Sequence, residues 1–154
     1  MTNAIYFDMD GTIVDLYGVE GWLKALNAED ITPYTVAKPL GNMSLLARQI
    51  HACQKKGIKV GIITWTAMGA TAAYDEAVKE AKLAWLKKHL PSVEFDEIKV
   101  VAYGIQKHTV VEDVENAVLF DDNVKIGVAW LGHGGLPYSP IYINEIMRKI
   151  IQKA

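Results

Sequence analysis

Three observations predict an α/β fold with a mainly parallel sheet. Short apolar runs alternate with longer amphipathic stretches along the chain. Helix-ending residues fall where one pattern gives way to the next, as Gly57 and Pro91 do. The 154 residues, 51% hydrophobic and 22% charged, are enough for one packed core and fit one domain.

The first strand is expected over Ala4 to Asp8. Residues 15 to 42 break the repeating pattern with Gly18, Gly21, Pro33, Pro39 and Gly41, and hold one short helical piece near Glu20 to Leu26. They read as a small cap-like insertion after the first strand, too short for a separate cap domain. Ser44 to Lys56 has helical periodicity with Gly57 at its C-terminal end, and Ile58 to Thr64 is the second strand. Tyr74 to Leu90 is the clearest helix, with Ala77, Ala81, Ala84, Trp85 and His89 roughly on one stripe. Strands are expected at Glu97 to Ala102 and Asn116 to Asp121, followed by a short helix at Asn123 to Leu131 that Gly132, Gly134 and Gly135 terminate. Pro137 confines a final short strand, Gly135 to Tyr138, to a sheet edge, and a closing helix runs over Ile141 to Lys153.

Charge and composition exclude several classes of function. A formal charge of −2 gives no global electrostatic attraction to nucleic acid or to an anionic membrane, although a local basic patch would still admit a nucleic-acid substrate. Cys53 is the one cysteine, so no internal disulfide can form. No apolar run is long enough to span a bilayer, and the apolar residues 4 to 7 read as a strand and not as a signal sequence, so a cytoplasmic location is expected. The sequence leaves the oligomeric state open.

In open parallel sheets, ligands bind at the carboxyl ends of the strands. The first strand ends in Asp8-Met9-Asp10, the second in Thr64, and the strand after residue 116 in Asp121-Asp122, while Lys107 follows the third by a few residues. Each residue type suits phosphoryl transfer. Carboxylates are the preferred ligands of Mg²⁺, and one can attack phosphorus to form an aspartyl-phosphate. A second carboxylic acid can protonate the leaving oxygen and then activate water. A threonine hydroxyl can donate to a phosphoryl oxygen, and a lysine can neutralise nucleophile and phosphate together. Several carboxylates at one place repel one another strongly without a cation.

Asp8-Met9-Asp10-Gly11-Thr12 resembles the first motif of the haloacid dehalogenase (HAD) superfamily, Ile62-Ile63-Thr64 its second, Lys107 its third and Leu119-Phe120-Asp121-Asp122 its fourth. The four stand in the family order across about residues 4 to 123. The resemblance implies a Rossmann-like three-layer sandwich and a Mg²⁺-dependent phosphatase. It implies that Asp8 is nucleophile and metal ligand, and that Asp10 is the general acid/base with its main-chain carbonyl on the metal. Asp121 would be a further ligand, and Asp122 either another ligand or a support for one. Phosphatases of the family carry Asp two residues after the nucleophile, as Asp10 does here. Gly11, Thr12 and Trp65 complete the expected site as substrate-binding residues, Trp65 because it follows Thr64 directly.

Substrate choice is less determined. Trp85-Leu86-Lys87-Lys88-His89-Leu90-Pro91 and Lys107-His108-Thr109-Val110-Val111 are similar to deoxyribonucleotidase-like members, which implies a nucleoside monophosphate. Those enzymes carry a longer insertion after the first strand. A short insertion leaves the site open, which equally suits a nucleic-acid end, a protein, a phosphosugar or coverage by a second subunit. A phospho-accepting receiver module would need an acceptor Asp at the end of its third strand, where Ile98-Lys99-Val100-Val101-Ala102 has none. A non-catalytic HAD-like binding protein would show a broken motif, and none is broken. Among other residues, Asn123 is expected to cap a helix, Trp22, Trp85 and Trp130 to be core, and His108 and His133 are candidates for facing the crevice. His89, in the last turn of its helix, is placed where the helix dipole favours a cation.

Overall fold

The structure, a computed structural model, describes residues 1–154. In chain order its elements are β1 (Ala4–Phe7), β2 (Val14–Asp15), α1 (Trp22–Asn27), α2 (Thr32–Val36), β3 (Lys38–Pro39), α3 (Met43–Lys55) and β4 (Lys59–Trp65). There follow α4 (Ala72–His89), β5 (Glu97–Val101), β6 (Ala117–Phe120), α5 (Val124–Gly132), β7 (Leu136–Tyr138) and α6 (Ile143–Lys153). Single 3₁₀ turns stand at Lys107–Thr109 and Pro140–Tyr142.

Five strands form one parallel sheet in the order β5-β4-β1-β6-β7. Alternation along the strands splits the interior into two layers. Ile5, Phe7, Val60, Ile62, Val118 and Phe120 face Leu46, Ile50 and Cys53 of α3, Trp85 and Leu86 of α4, and Met147 of α6. Ala4, Tyr6, Ile63, Ala117 and Leu119 face Ile126 and Trp130 of α5, with Val111 and Val114. The predicted three-layer α/β architecture is thus present, and Cys53 lies fully buried in it. No helix is long and apolar enough to cross a membrane.

Local chemistry explains where elements start and stop. Side-chain oxygens of Asn42, Thr71 and Asn123 accept the N–H groups of Leu45, Tyr74 and Ile126, capping α3, α4 and α5. Gly57, at φ 81°, turns the chain out of α3 in the left-handed region. Pro137 sits in the edge strand β7, as its missing N–H requires.

Two expectations about elements need correction. The buried stripe of α4 is Tyr74, Val78, Ala81, Lys82, Trp85 and Leu86, whereas Ala84 is exposed. A run of alanines suggested the wrong face, because alanine carries little side-chain area to direct it. Residues 15 to 42 also hold more order than one helical piece: β2 pairs antiparallel with β3, and α2 carries Pro33 in its first turn. Tyr34 of α2 is buried against Tyr74, Val78 and Ala81 of α4. Polar anchors reinforce this packing, with Tyr74 Oη donating to Asp30 O at 2.8 Å and Thr71 Oγ1 to Glu29 Oε1 at 2.6 Å. The insertion is therefore fixed to α4.

Candidate active site

β1 connects outward to β4 and β5, and the chain then returns to β6 and β7 on the other side of β1. The sheet's switch point lies between β1 and β6, and open sheets bind ligands at such points. Asp8 follows β1 there, and Asp121 and Asp122 follow β6.

A tight turn fixes the acidic segment after β1. The carbonyl of Met9 accepts the N–H groups of Thr12, Ile13 and Val14 at 3.0, 3.0 and 2.9 Å. Gly11 takes φ 79°, and a Cβ on it would collide with Asp122 Oδ2, so this loop can pass beside Asp122 only with glycine. Asp8 is buried; its Oδ1 accepts from Lys107 Nζ at 2.9 Å and its Oδ2 from Thr12 Oγ1 at 3.0 Å. Lys107 Nζ also donates to Asp121 Oδ2 at 2.7 Å and lies 5.5 Å from the Trp65 ring centre. Asp121 Oδ1 in turn accepts the N–H of Asn123 at 2.9 Å.

Asp8, Asp121 and Asp122 each present an oxygen within 4.8 Å of the others. Burial raises the carboxyl of Asp122 to about 7, and the charge of Asp8, a hydrogen bond with Asp8 and the charge of Asp121 add to the shift. Burial and Asp8 raise Asp121 as well, against the pull of Lys107. Burial alone would lower the Lys107 ammonium, but Asp8 and Asp121 overcome it and hold its pKa above the ordinary value. Lys107 thus pairs with Asp8 and Asp121 while Asp122 has no cation beside it, and this all-oxygen, electron-rich set fits a hard divalent cation.

Burial, with Asp8 adding to it, raises the pKa of Asp10 despite Lys82, and Asp10 Oδ1 is buried without a hydrogen-bond partner. Lys82 is the residue the sequence reading missed. It is 2% exposed, and its Nζ donates to Asp10 Oδ2 at 2.9 Å, Thr64 Oγ1 at 2.7 Å and Trp65 O at 2.6 Å. Among the lysines of α4 it reads as solvated surface. Its spacing of four from Val78 and three from Trp85, which puts it on the buried stripe, was the available signal.

A cleft of about 470 Å³ opens over these groups and is lined by Asp8, Asp10, Thr64, Trp65, Lys107, Asp121 and Asp122. The insertion supplies Leu16, Tyr17, Trp22, Leu23, Leu26 and Tyr34 to the same cleft, and the segments after β4 and β5 supply Met68 and Tyr103. Residues 15 to 42 thus build part of the cleft wall, which corrects the picture of a site left bare by a short insertion. Trp22 lines the cleft and stacks edge-on against Tyr17 at 4.8 Å, so it is not a core residue. Trp65 is held by its Nε1 donating to Ile105 O at 2.9 Å and by Tyr103 at 4.9 Å.

Gly11 and Thr12 do not line this cleft. The Thr12 hydroxyl is buried on Asp8, where it orients the carboxylate, and Gly11 makes room for Asp122. His108 and His133 stack on each other at 3.8 Å outside the cleft. Asn123 caps α5, and Trp85 and Trp130 are core. His89 packs on Trp85 at 4.4 Å, and burial together with Lys88 lowers its pKa, so the cationic form is disfavoured despite its place at the helix end.

No family model and no curated protein sequence matches the chain. Solved structures do. D,D-heptose 1,7-bisphosphate phosphatase from Burkholderia thailandensis superposes with TM-score 0.53 at 16% identity, over 87% of this chain and 75% of that one. A protein described as a HAD-like phosphatase, from Mesorhizobium loti, superposes with TM-score 0.59 at 14% identity, over 99% of this chain and 87% of its own. The fold is therefore HAD-like, and both neighbours carry the name of phosphatases.

Proposed function

We propose that the chain is a phosphatase of the HAD kind, a Mg²⁺-dependent phosphomonoesterase working through an aspartyl-phosphate. The observation that carries this reading is the convergence of Asp8, Asp10, Thr64, Lys107, Asp121 and Asp122 on one cleft at the sheet's switch point.

Asp8, Asp121 and Asp122, with the main-chain carbonyl of Asp10, would hold the cation. When bound, it would offset the charge of the nucleophile and the phosphate. The Asp8 carboxylate, oriented by Thr12 and Lys107, attacks phosphorus. As the new P–O bond forms, the ester P–O bond breaks, its electron pair goes to the leaving oxygen, and Asp10 gives that oxygen a proton. Asp10, now ionised, takes a proton from water as the water oxygen attacks the same phosphorus. The bond to Asp8 breaks with its electrons returning to the carboxylate, and phosphate leaves. Thr64 donates to a phosphoryl oxygen, and Lys107 balances charge throughout.

For the substrate we propose a nucleoside monophosphate. Tyr17, Trp22, Tyr34, Trp65 and Tyr103 bring five aromatic rings from three segments to a cleft whose charged end is the phosphate site. Such walls suit a planar base. A bulkier phosphorylated group, such as a nucleic-acid end, a protein or a phosphosugar, is the alternative that the exposed rim at Leu23 and Met68 would admit. Mg²⁺-dependent turnover of p-nitrophenyl phosphate, abolished in Asp8→Asn, tests the reaction, and its absence for every phosphate ester would refute it. A screen over nucleoside monophosphates, phosphosugars, phosphopeptides and end-phosphorylated oligonucleotides tests the substrate. Preference for a ring-free phosphosugar would refute the nucleotide.

A further inference from the structure

We propose that Lys82 is a positioning residue that fixes the orientation of the Asp10 carboxyl and the direction of the Thr64 hydroxyl; this rests on the phosphomonoesterase reading above.

An ammonium group has three hydrogens and no acceptor. Those of Lys82 meet three acceptors, Asp10 Oδ2, Thr64 Oγ1 and Trp65 O, at 2.9, 2.7 and 2.6 Å. With Tyr34 covering it at 5.4 Å and the side chain 2% exposed, Lys82 has no hydrogen left for a substrate. It acts through its neighbours.

The consequence for Thr64 is directional. Its oxygen accepts from Lys82, and its own hydrogen has no protein acceptor, so the O–H is left free to donate to a phosphoryl oxygen in the cleft it lines. Without Lys82 the hydroxyl could turn to Asp10 or to the Trp65 carbonyl.

The consequence for Asp10 is its orientation. Lys82 Nζ holds Oδ2 at 2.9 Å, so the carboxyl keeps one position in the cleft it lines. From that position it gives its proton to the ester oxygen as the P–O bond breaks and that oxygen gains the bonding pair. Lys82 projects from α4, whose Ala81, Trp85 and Leu86 are buried beside it, so the donor is held by a rigid element.

A purely structural lysine, tying α4 to the end of β4, would slow all substrates alike when removed. A residue that aligns the acid matters most for esters whose leaving group needs a proton. The test compares kcat/KM for an alkyl phosphate and for p-nitrophenyl phosphate, whose leaving group departs unprotonated, in wild type, Lys82→Met and the exposed control Lys79→Met. We expect Lys82→Met to lose about 10²-fold or more on the alkyl ester and under about tenfold on the nitrophenyl ester, with Lys79→Met unchanged. Equal losses on the two esters, or no loss, in a variant with wild-type circular dichroism would overturn the proposal. If Lys82→Met does not fold, Lys82→Gln, which keeps an amide donor beside Asp10, is read in the same way: a greater loss on the alkyl ester supports the role and equal losses overturn it. A wild-type protein inactive on every ester would instead refute the phosphomonoesterase reading itself.

Discussion

Asp10 differs from Asp8 by two positions in sequence and by almost everything in environment. Asp8 has donors on both oxygens, Lys107 and Thr12, which fix its orientation. Asp10 has one oxygen on Lys82 and the other buried and unpartnered, with burial raising its pKa. On the proposed mechanism that difference in surroundings would separate a nucleophile from an acid. Asp10→Asn should retain phosphate binding while single-turnover cleavage of an alkyl phosphate falls by about 10²- to 10⁴-fold, the usual worth of a general acid. Phosphate affinity by calorimetry and rapid-quench rates check this, and a wild-type cleavage rate would remove Asp10 from the mechanism. In the same assays Asp8→Asn should give no phosphorylated enzyme.

Helix starts show how local stability and the site separate at the level of elements. Asn42 caps α3 by accepting from Leu45 N at 3.0 Å, away from the active-site cleft. Asn123 caps α5 by accepting from Ile126 N at 3.2 Å, and its own N–H holds Asp121 Oδ1. Either change to Ala should cost about 1 kcal/mol of stability, the usual value for a lost cap. Asn42→Ala should keep wild-type Mg²⁺ affinity and turnover. Asn123→Ala should also weaken Mg²⁺ binding, because the start of α5 sets the direction of Asp121 and Asp122. Denaturant melts and Mg²⁺ titrations of both variants separate the two effects. Equal Mg²⁺ affinities would show that the acidic pair is positioned by β6 alone.

Across the molecule, the clustered acids should couple stability to pH and to the cation. In the metal-free fold Asp122 titrates near 7, whereas its ordinary value is 3.8, and Asp121 is raised too. Between those values the folded state holds protons that the unfolded chain has released, so stability falls as pH rises through that window. The melting temperature in chelator, compared with that of Asp122→Asn so that the lowered histidines His89 and His108 cancel, should therefore decline from about pH 5 to pH 7.5, where carboxylates of ordinary pKa (about 4) no longer titrate. On the proposed reading, added Mg²⁺ would bind only the folded site and displace those protons. Its stabilisation should grow over the same pH range and reach about 2.7 kcal/mol at a hundredfold excess over Kd. Calorimetric melts with and without Mg²⁺ check this, and a difference between wild type and Asp122→Asn that rises with pH in chelator would contradict it.

Much of this was legible in the chain. Strand and helix order followed from apolar periodicity, which is a local signal; five of the six polar positions followed from lying at strand ends in a parallel sheet, and Lys107 from following one by a few residues. Asp8-Met9-Asp10-Gly11-Thr12 was readable as a unit because its turn is made within itself, with Met9 O accepting three nearby N–H groups. Lys82 was not legible. Its role depends on α4 packing against the end of β4: spacing from Val78 and Trp85 could place it on the buried stripe, but not on Asp10 and Thr64. The insertion was undervalued for the same reason: Tyr34 and Trp22 look like ordinary apolar residues until docking on α4 turns them toward one cleft. From the chain alone came the strand positions and the residues carried at their ends, because strand periodicity and end positions are set by neighbours in the chain. Only the tertiary structure decided what surrounds Asp10 and what walls the cleft, because those contacts join residues up to 72 positions apart.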